Sequence, residues 1–332
     1  MDCGDAPGGV GMSARYARQT VLPEVGVPGQ ARLAAARVLV VGAGGLGCPV
    51  LHYLAGAGVG HLTIVDPDSV EETNLHRQPL YGMADLGKPK VECARAALRR
   101  FNPQIAVDAI AERLTPQNAE HLVAGADVIV DAADSFAATY ILSDACHKLA
   151  KPLVSASVIG LSGYAGAFCG GAPSYRAVFP DVSVDSGNCA TVGVLGTAVA
   201  VLGGLQAHLA LHLLLELEPT VLGRVITFDA RKLAFGGFTF TGSPEPAAFV
   251  PFIAPEALRE DDIVVDLRGV DEAPVSPLAG ARRLLVDTVD QLAAENPKGR
   301  VVLACRSGQR ALLAADRLRE RGIDNLALIA LG

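Results

Sequence analysis

The chain has 332 residues, half of them hydrophobic and 19% charged, with a formal net charge of −7 and a pI near 5.5. That length is enough for two domains at the rough rule of about 150 residues each, and the acidic balance argues against a general nucleic-acid or anionic-membrane surface. Its seven cysteines, an odd number in a long chain without a signal peptide, read as reduced thiols of a cytoplasmic protein rather than a disulfide framework.

Residues 1–13 are Gly-rich and polar and read as a disordered N-terminus. Arg15 to Gln30 reads as a short helix and loop. Arg37-Val-Leu-Val-Val41 has the length and β-branching of a buried parallel strand. Gly42-Ala-Gly-Gly-Leu-Gly47 follows, then an Ala/Gly/Leu-rich helix to Gly58 and a second buried strand, Leu62 to Val65, ending at Asp66. This is a βαβ unit with GxGxxG on its first turn and an acid after its second strand. Gly42, Gly44 and Gly45 let backbone N–H groups approach a phosphate, and the helix start adds partial positive charge. Gly47 is equally accounted for by close helix–strand packing. Asp66 is placed to accept from ribose hydroxyls. Alone, the unit suits a nicotinamide, flavin or adenine nucleotide.

Asn74-Leu-His-Arg-Gln78 and Gly87-Lys-Pro-Lys90 put Arg77, Lys88 and Lys90 a short loop away. Hydride transfer needs no such cations, whereas ATP with Mg²⁺ does, because phosphate charge must be neutralised. Lys88 reads as part of a solvated loop; Arg77 and Lys90 read as phosphate contacts. Helix Val91–Phe101, strand Ile105–Ile110, helix Thr115–Ala124 with Thr115 as N-cap, strand Ala126–Val130, helix Phe136–Leu149 and strand Pro152–Ser157 continue the alternation. The predicted fold is α/β, a doubly wound, Rossmann-like, mostly parallel sheet. Asp134, beyond the fourth strand, is the candidate Mg²⁺ ligand, an N-cap of the next helix, or both; Asp131 is read as ordering the loop, with a share in the metal as the alternative. Val192 to Leu215 approaches the ~20 residues that span a bilayer, but its Gln206, His208 and His212 favour a buried helix, so no membrane partner is expected.

Arg15-Tyr-Ala-Arg-Gln19, the glycine loop, Asp66-Pro-Asp68, Asn74 to Gln78 and Gly87 to Lys90 together resemble the MoeB/ThiF/HesA-type adenylyltransferases, bacterial relatives of ubiquitin-activating enzymes. The resemblance runs from about Arg15 to Phe240. It implies an ATP site built from Gly42, Gly44, Gly45, Gly47, Asp66, Asn74, Arg77, Gln78 and Lys90. It also implies a homodimer in which Arg18 reaches the partner subunit's ATP site, and a cysteine, here Cys189, on a crossover loop. Cys189 is read as reactive, against the alternative of an inert buried thiol. The family usually has Asp-Asn where this chain has Asp134-Ser135. Relatives often hold zinc through two CxxC pairs; this chain has no CxxC, and Ser174-Tyr-Arg-Ala177 stands at the first pair's place, so no structural zinc is expected and ordinary packing must hold that lobe.

The division read from the sequence is an ATP-binding adenylyltransferase domain over 14–241, a Pro-rich linker over 242–255 and a second, smaller α/β domain over 256–332. Asp262 to Arg268 reads as a strand ending in Asp-x-Arg, and Arg300 to Ala304 as another leading into Cys305-Arg-Ser-Gly-Gln-Arg310 and a helix. Converging backbone N–H groups with Arg306 and Arg310 nearby suit an anionic sulfur on Cys305. This resembles a short rhodanese domain with persulfide loop Cys305, Arg306, Ser307, Gly308, Gln309 and Arg310; a dual-specificity-phosphatase-like loop is the alternative. The combined resemblance implies ATP-dependent adenylation of a small ubiquitin-like sulfur carrier ending in Gly-Gly. Sulfur transfer through Cys305 and Cys189 follows, supplied by a donor such as a cysteine desulfurase. The rivals are thioester formation alone with a vestigial rhodanese domain, a nicotinamide dehydrogenase, or a non-catalytic nucleotide-binding scaffold.

Overall fold

A computed structural model describes residues 14–180 and 193–332. After a short arm, α1 (Ala17–Thr20) and α2 (Gly26–Ala35), the chain runs through β1 (Arg37–Val41), α3 (Gly47–Ala57), β2 (His61–Val65), α4 (Lys90–Phe101), β3 (Ala106–Ile110), α5 (Pro116–Ala124), β4 (Val128–Asp131), α6 (Phe136–Lys148) and β5 (Pro152–Ile159). Then come β6 (Ser162–Cys169), α7 (Tyr175–Val178), α8 (Gly196–Leu214), β7 (Arg224–Asp229) and β8 (Ala234–Thr239). The strands form one sheet in the order β3-β2-β1-β4-β5-β6-β7-β8. Pairs from β3 to β5 are parallel and those from β5 to β8 antiparallel. The chain leaves β1 toward β3 and returns through β4 toward β5, so the direction of winding switches between β1 and β4. Ligands of open α/β sheets bind at that point, beyond the strand ends.

Strand alternation decides which layer each side chain joins. Val38 and Val40 of β1 pack with Val128 and Val130 of β4 under α3, α4 and α8. Leu39, Val41 and Ile129 face the opposite way, under α5 and α6. By length and composition α8 could cross a membrane. In the fold it packs on β4, β5 and β6, and its buried Gln206 donates to the carbonyls of Asp131 and Val154. Thr115 caps α5 as its sequence predicts, its hydroxyl accepting from the Asn118 N–H with Pro116 at the first helical position.

The C-terminal segment forms its own parallel sheet, β10-β9-β11-β12, from β9 (Ile263–Asp266), β10 (Arg282–Arg283), β11 (Val301–Cys305) and β12 (Leu326–Ala330). Helix α9 (Gln291–Ala294) precedes β11, and α10 (Gln309–Glu320) follows it. Val265, Leu267 and Leu312 belong to the same apolar cluster as Tyr140 and Ile141 of α6, so the two sheets share a core.

The segment read as a linker differs from a free tether. Val250, Phe252 and Ala254 are buried at alternating positions, and the Ile253 N–H donates to Leu328 O at 2.8 Å while the Leu328 N–H donates to Pro251 O at 2.9 Å. Alternating apolar side chains let these residues lie along β12 despite the prolines.

Around Ser174 to Ala177 the lobe is tied by side chains. The Ser174 N–H and hydroxyl donate to the two Glu245 carboxylate oxygens at 2.7 and 2.6 Å, and Ser174 Oγ caps α7. Arg176, buried, makes two bonds to Asp144 at 2.6 and 3.0 Å and lies between the rings of Tyr140 and Phe249, at 4.7 and 4.3 Å from their centroids. Removing one partner of a buried pair strands the other. Arg176→Met therefore lowers the unfolding free energy by about 3 kcal/mol in denaturant titrations; a loss within measurement error would show that the pair does not hold the lobe.

Candidate functional site

Gly42 begins the turn after β1, its N–H donating to Val65 O at 2.9 Å. Its φ of +99° and the backbone of Ala132 and Ala133 beside it leave no room for a side chain. A Cβ on Gly47 would lie 2.1 Å from Gly42 O, so Gly47 is a packing glycine. Gly44 and Gly45 differ. A Cβ on Gly44 would sit 3.6 Å from Gln78 Nε2, and one on Gly45 would meet the Arg77 stem at 3.5 Å and Val199 at 2.9 Å. The outer glycines thus face the turn that carries Asn74, Arg77 and Gln78. Asn74 builds that turn through its carbonyl, which accepts from the Arg77 and Gln78 N–H groups at 3.1 Å each.

Asp66 is buried and holds the glycine loop from below. Its carboxylate accepts from the Ala43 N–H at 2.7 Å and the Asp68 N–H at 2.8 Å. Burial pushes its pKa up, and the Lys90 cation opposes that shift. The Lys90 ammonium is buried and donates to Asp68 at 2.8 Å. The Tyr81 hydroxyl donates to Ala43 O at 2.7 Å, a brace the sequence did not flag because a lone Tyr in a loop carries no spacing signal. Cys48, in the same loop's shadow, has its pKa pushed up to about 12 by burial and is inert.

Arg77 is half-buried, with one guanidinium nitrogen near Thr73 O at 3.2 Å and His76 Nε2 at 2.8 Å. Gln78 is buried, and its Oε1 has no hydrogen-bond partner. An orphaned acceptor beside two glycines that a Cβ would fill, with two cations near, is a cradle suited to a nucleotide's amino group and phosphates.

Asp131 is fully buried at the end of β4. Burial pushes its pKa up to about 6, against the Thr139 and Ser155 hydroxyls and the Ala133 N–H that it accepts. It orders the loop and does not reach a ligand site. A carboxyl whose folded pKa is raised from 3.8 contributes fully below that pH and loses the contribution as pH rises through 6. Two pKa units correspond to about 3 kcal/mol. The unfolding free energy of the protein minus that of Asp131→Asn therefore falls by about this much between pH 4 and 7, read from denaturant curves at each pH.

Asp134 is exposed, and Ser135, not Asp134, occupies the N-cap position of α6, without a side-chain cap bond. The N-cap alternative for Asp134 is thereby corrected: the chain turns into the helix one residue later. No group of three or more His, Cys, Asp or Glu that could hold a metal ion exists among the described residues. Arg18 is exposed on α1. The arm packs at the far end of α3, where the Asn102 amide donates to the Tyr16 hydroxyl at 2.8 Å and the Tyr16 ring abuts Gly58. The glycine loop lies at the other end of that helix, about 16 Å away at 1.5 Å per residue, so Arg18 does not join its own chain's glycine loop. Cys189 lies outside the described residues.

The similarity to known proteins matches this geometry. Residues 16–246 match the ThiF family. The chain belongs to it. The glycine loop, Asp66, Asn74, Arg77, Gln78, Lys90 and Asp134 all fall inside the matched span. "Adenylyltransferase and sulfurtransferase MOCS3" of Anopheles gambiae is 45% identical to this ThiF-family chain over 225 residues, 67% of the chain and 51% of that protein. The Bos taurus protein of the same name is 49% identical over 221 residues, 66% and 49% respectively. The chain thus spans about half the length of these relatives. "SAMP-activating enzyme E1" of Haloferax volcanii is 40% identical over 233 residues, 70% of this chain and 86% of that protein. The solved structure of E. coli MccB with MccA-N7isoASN shares the fold, with a TM-score of 0.63 at 24% identity over 70% of this chain and 74% of that one.

The C-terminal loop lies beyond the ThiF match. Cys305 closes β11, is fully buried, and its sulfur accepts from the Gly308 N–H at 3.2 Å. The Arg310 guanidinium beside it is held by both Glu272 oxygens at 2.6 and 2.7 Å; Glu272, with Cys305 adding to it, raises the Arg310 pKa against the opposing effect of burial. Arg306 is exposed and Ser307 and Gln309 are partly so. Glu272 was not legible in advance, because nothing in its neighbourhood's sequence points across to Arg310. The Ala137 N–H, in the first turn of α6, donates to Ser307 O at 3.0 Å. This loop therefore sits on the helix that begins just after Asp134.

Proposed function

We propose that the protein adenylates the C-terminal Gly-Gly carboxylate of a small ubiquitin-like sulfur carrier and then transfers sulfur to it. The observation that carries the reading is the convergence of the glycine cradle, Arg77, the unpaired Gln78 oxygen and Lys90 at the β1/β4 switch point. The names of the relatives support the substrate class. The carrier carboxylate attacks the ATP α-phosphorus, and pyrophosphate leaves with the bonding electrons. Arg77, Lys90 and, from the partner of a homodimer, an Arg18 stabilise the phosphate charge. Asp134 offers one carboxylate to Mg²⁺, which usually takes one or two plus phosphate oxygens and water; Mg²⁺ would neutralise phosphate charge there. Asp66 keeps the Ala43 N–H fixed.

In the second half, rhodanese-like residues 256–332 supply a Cys305 persulfide, loaded by a donor such as a cysteine desulfurase. Its terminal sulfur attacks the acyl carbon and AMP departs. The Cys189 thiolate then attacks the Cys305 sulfur of the acyl disulfide. That releases the carrier thiocarboxylate and leaves a Cys189–Cys305 disulfide, which an external thiol reduces. The reaction is one of a cytoplasm, where thiols stay reduced. One observation favours a second reading, thioester formation at Cys189 alone: the Cys305 thiol is fully buried.

The test is ATP–pyrophosphate exchange with each Gly-Gly-ending small protein of the organism. Exchange with one carrier establishes adenylation and identifies the substrate; tight Mg·ATP binding without exchange favours a scaffold. Thiocarboxylate formed at an undiminished rate by Cys305→Ala with a persulfide donor would remove the sulfur-transfer half.

A further inference from the structure

We infer that Cys305 delivers sulfur to the nucleotide site of its own chain rather than to that of a second copy; the inference rests on the function proposed above. A continuous line of contacts joins the two loops. Gly42 lies against the backbone of Ala132 and Ala133. Asp134 and Ser135 follow, and the Ala137 N–H donates to Ser307 O at 3.0 Å. Gly308, the left-handed residue ending the loop, is wedged so that a Cβ there would meet Ala137 at 3.1 Å and the Phe252 ring at 2.7 Å. Asp134 is three residue steps from Ala137 and Ser307 is two from Cys305, so at about 3.5 Å per extended step, with the hydrogen-bonded crossing added, Cys305 lies within roughly 20 Å of Asp134.

The connecting segment holds the unit in that place. Glu245 is fastened to Ser174, Phe249 stacks on Arg176, and Ile253 is paired with Leu328 of β12. Both ends of the segment are tied, the first to the large domain and the second to the small sheet, with three residues between Phe249 and Ile253. A swing of the C-terminal unit to another molecule would break these ties and the core that Val265, Leu267 and Leu312 share with Tyr140 and Ile141. Cys305 is fully buried and its sulfur accepts from the Gly308 N–H, so access to it requires movement of the Ser307–Gly308 segment that rests on Ala137.

The test co-expresses two full-length chains with different tags, one Cys305→Ser and one Arg77→Gln, and purifies the mixed assembly through both tags. Arg77 is half-buried and lies outside the core, so its variant folds; a parallel pairing with Asp134→Asn guards against a fault peculiar to one variant. Thiocarboxylate formation with a persulfide donor is read against the wild-type chain. Delivery within the chain predicts that the mixed assembly gives no more product than the two variants purified separately. Failure of the tags to co-purify while the wild type remains active supports the same conclusion. Recovery to roughly half of the wild-type rate, from the one intact pairing in a two-fold assembly, overturns it. If the wild type itself exchanges pyrophosphate but forms no thiocarboxylate, the sulfur-transfer half falls and this inference with it; that outcome is read in the control, separately from the complementation.

Discussion

Lys90→Ala lowers ATP–pyrophosphate exchange by at least about a hundredfold, the scale of removing one preorganised charge from a developing anion. The side chain is buried, 5% exposed, which is rare for a lysine without a role or a partner. Its position is set by backbone, the Lys90 N–H donating to Asp68 O at 2.9 Å, before its ammonium meets the Asp68 carboxylate. Substitution removes the cation and also the main influence opposing the burial-raised pKa of Asp66. Asp66 protonates more readily as a result, and its grip on the Ala43 N–H weakens. The acid limb of the exchange–pH profile therefore moves to higher pH in the variant. Loss concentrated in kcat assigns Lys90 to the transition state, whereas a rise in KM alone assigns it to ground-state ATP binding. Lys90→Arg retains the charge but not the fit beside Asp68, and recovers part of the exchange.

Which parts of this arrangement were legible in the sequence follows from the range of the interactions involved. The first strands and helices were readable because β-branched apolar runs and glycine turns are local signals, and β1, β2 and β4 fall within a residue or two of their expected places. The glycine loop, Asp66, Arg77 and Lys90 were found together because their spacing within one βαβ unit and the loop after it is short. Three features were out of reach. The role of Asp131 as a buried loop anchor depends on Ser155, from the neighbouring strand. The Ser174–Glu245 and Arg176–Phe249 ties join residues about seventy positions apart, a separation at which no local pattern pairs them. The docking of Ser307 on Ala137 joins two segments each unremarkable alone, and the pairing of Pro251 and Ile253 with Leu328 fastens a Pro-rich stretch read as a linker. Periodicity reports which face of an element is buried, not what covers it.

Gly47→Ala unfolds the nucleotide-binding half at far lower denaturant than the parent, with a loss of at least about 3 kcal/mol. The new methyl group would lie 2.1 Å from Gly42 O and 2.9 Å from its carbonyl carbon. Both are backbone atoms, so no side chain can rotate away, and Gly42 itself is pinned by a φ of +99° and by Ala132. The strain must spread into β1 and the start of α3 or break their contact. Gly44→Ala provides the contrast. Its methyl group would sit 3.6 Å from Gln78 Nε2, an ordinary contact, and its φ is not in the left-handed region. That variant keeps its folding free energy to within about 1 kcal/mol but fills the space where a phosphate would lie against backbone N–H groups. Mg·ATP binding measured by calorimetry should fall in both, while the denaturation midpoint should fall only for Gly47→Ala. Equal stability losses would mean that the whole GxGGxG loop is a packing device; equal stabilities with lost binding would mean that α3 can retreat from β1. The predicted split assigns closure of the βαβ unit to Gly47 and contact with the nucleotide to Gly44, two roles that the motif compresses into six residues.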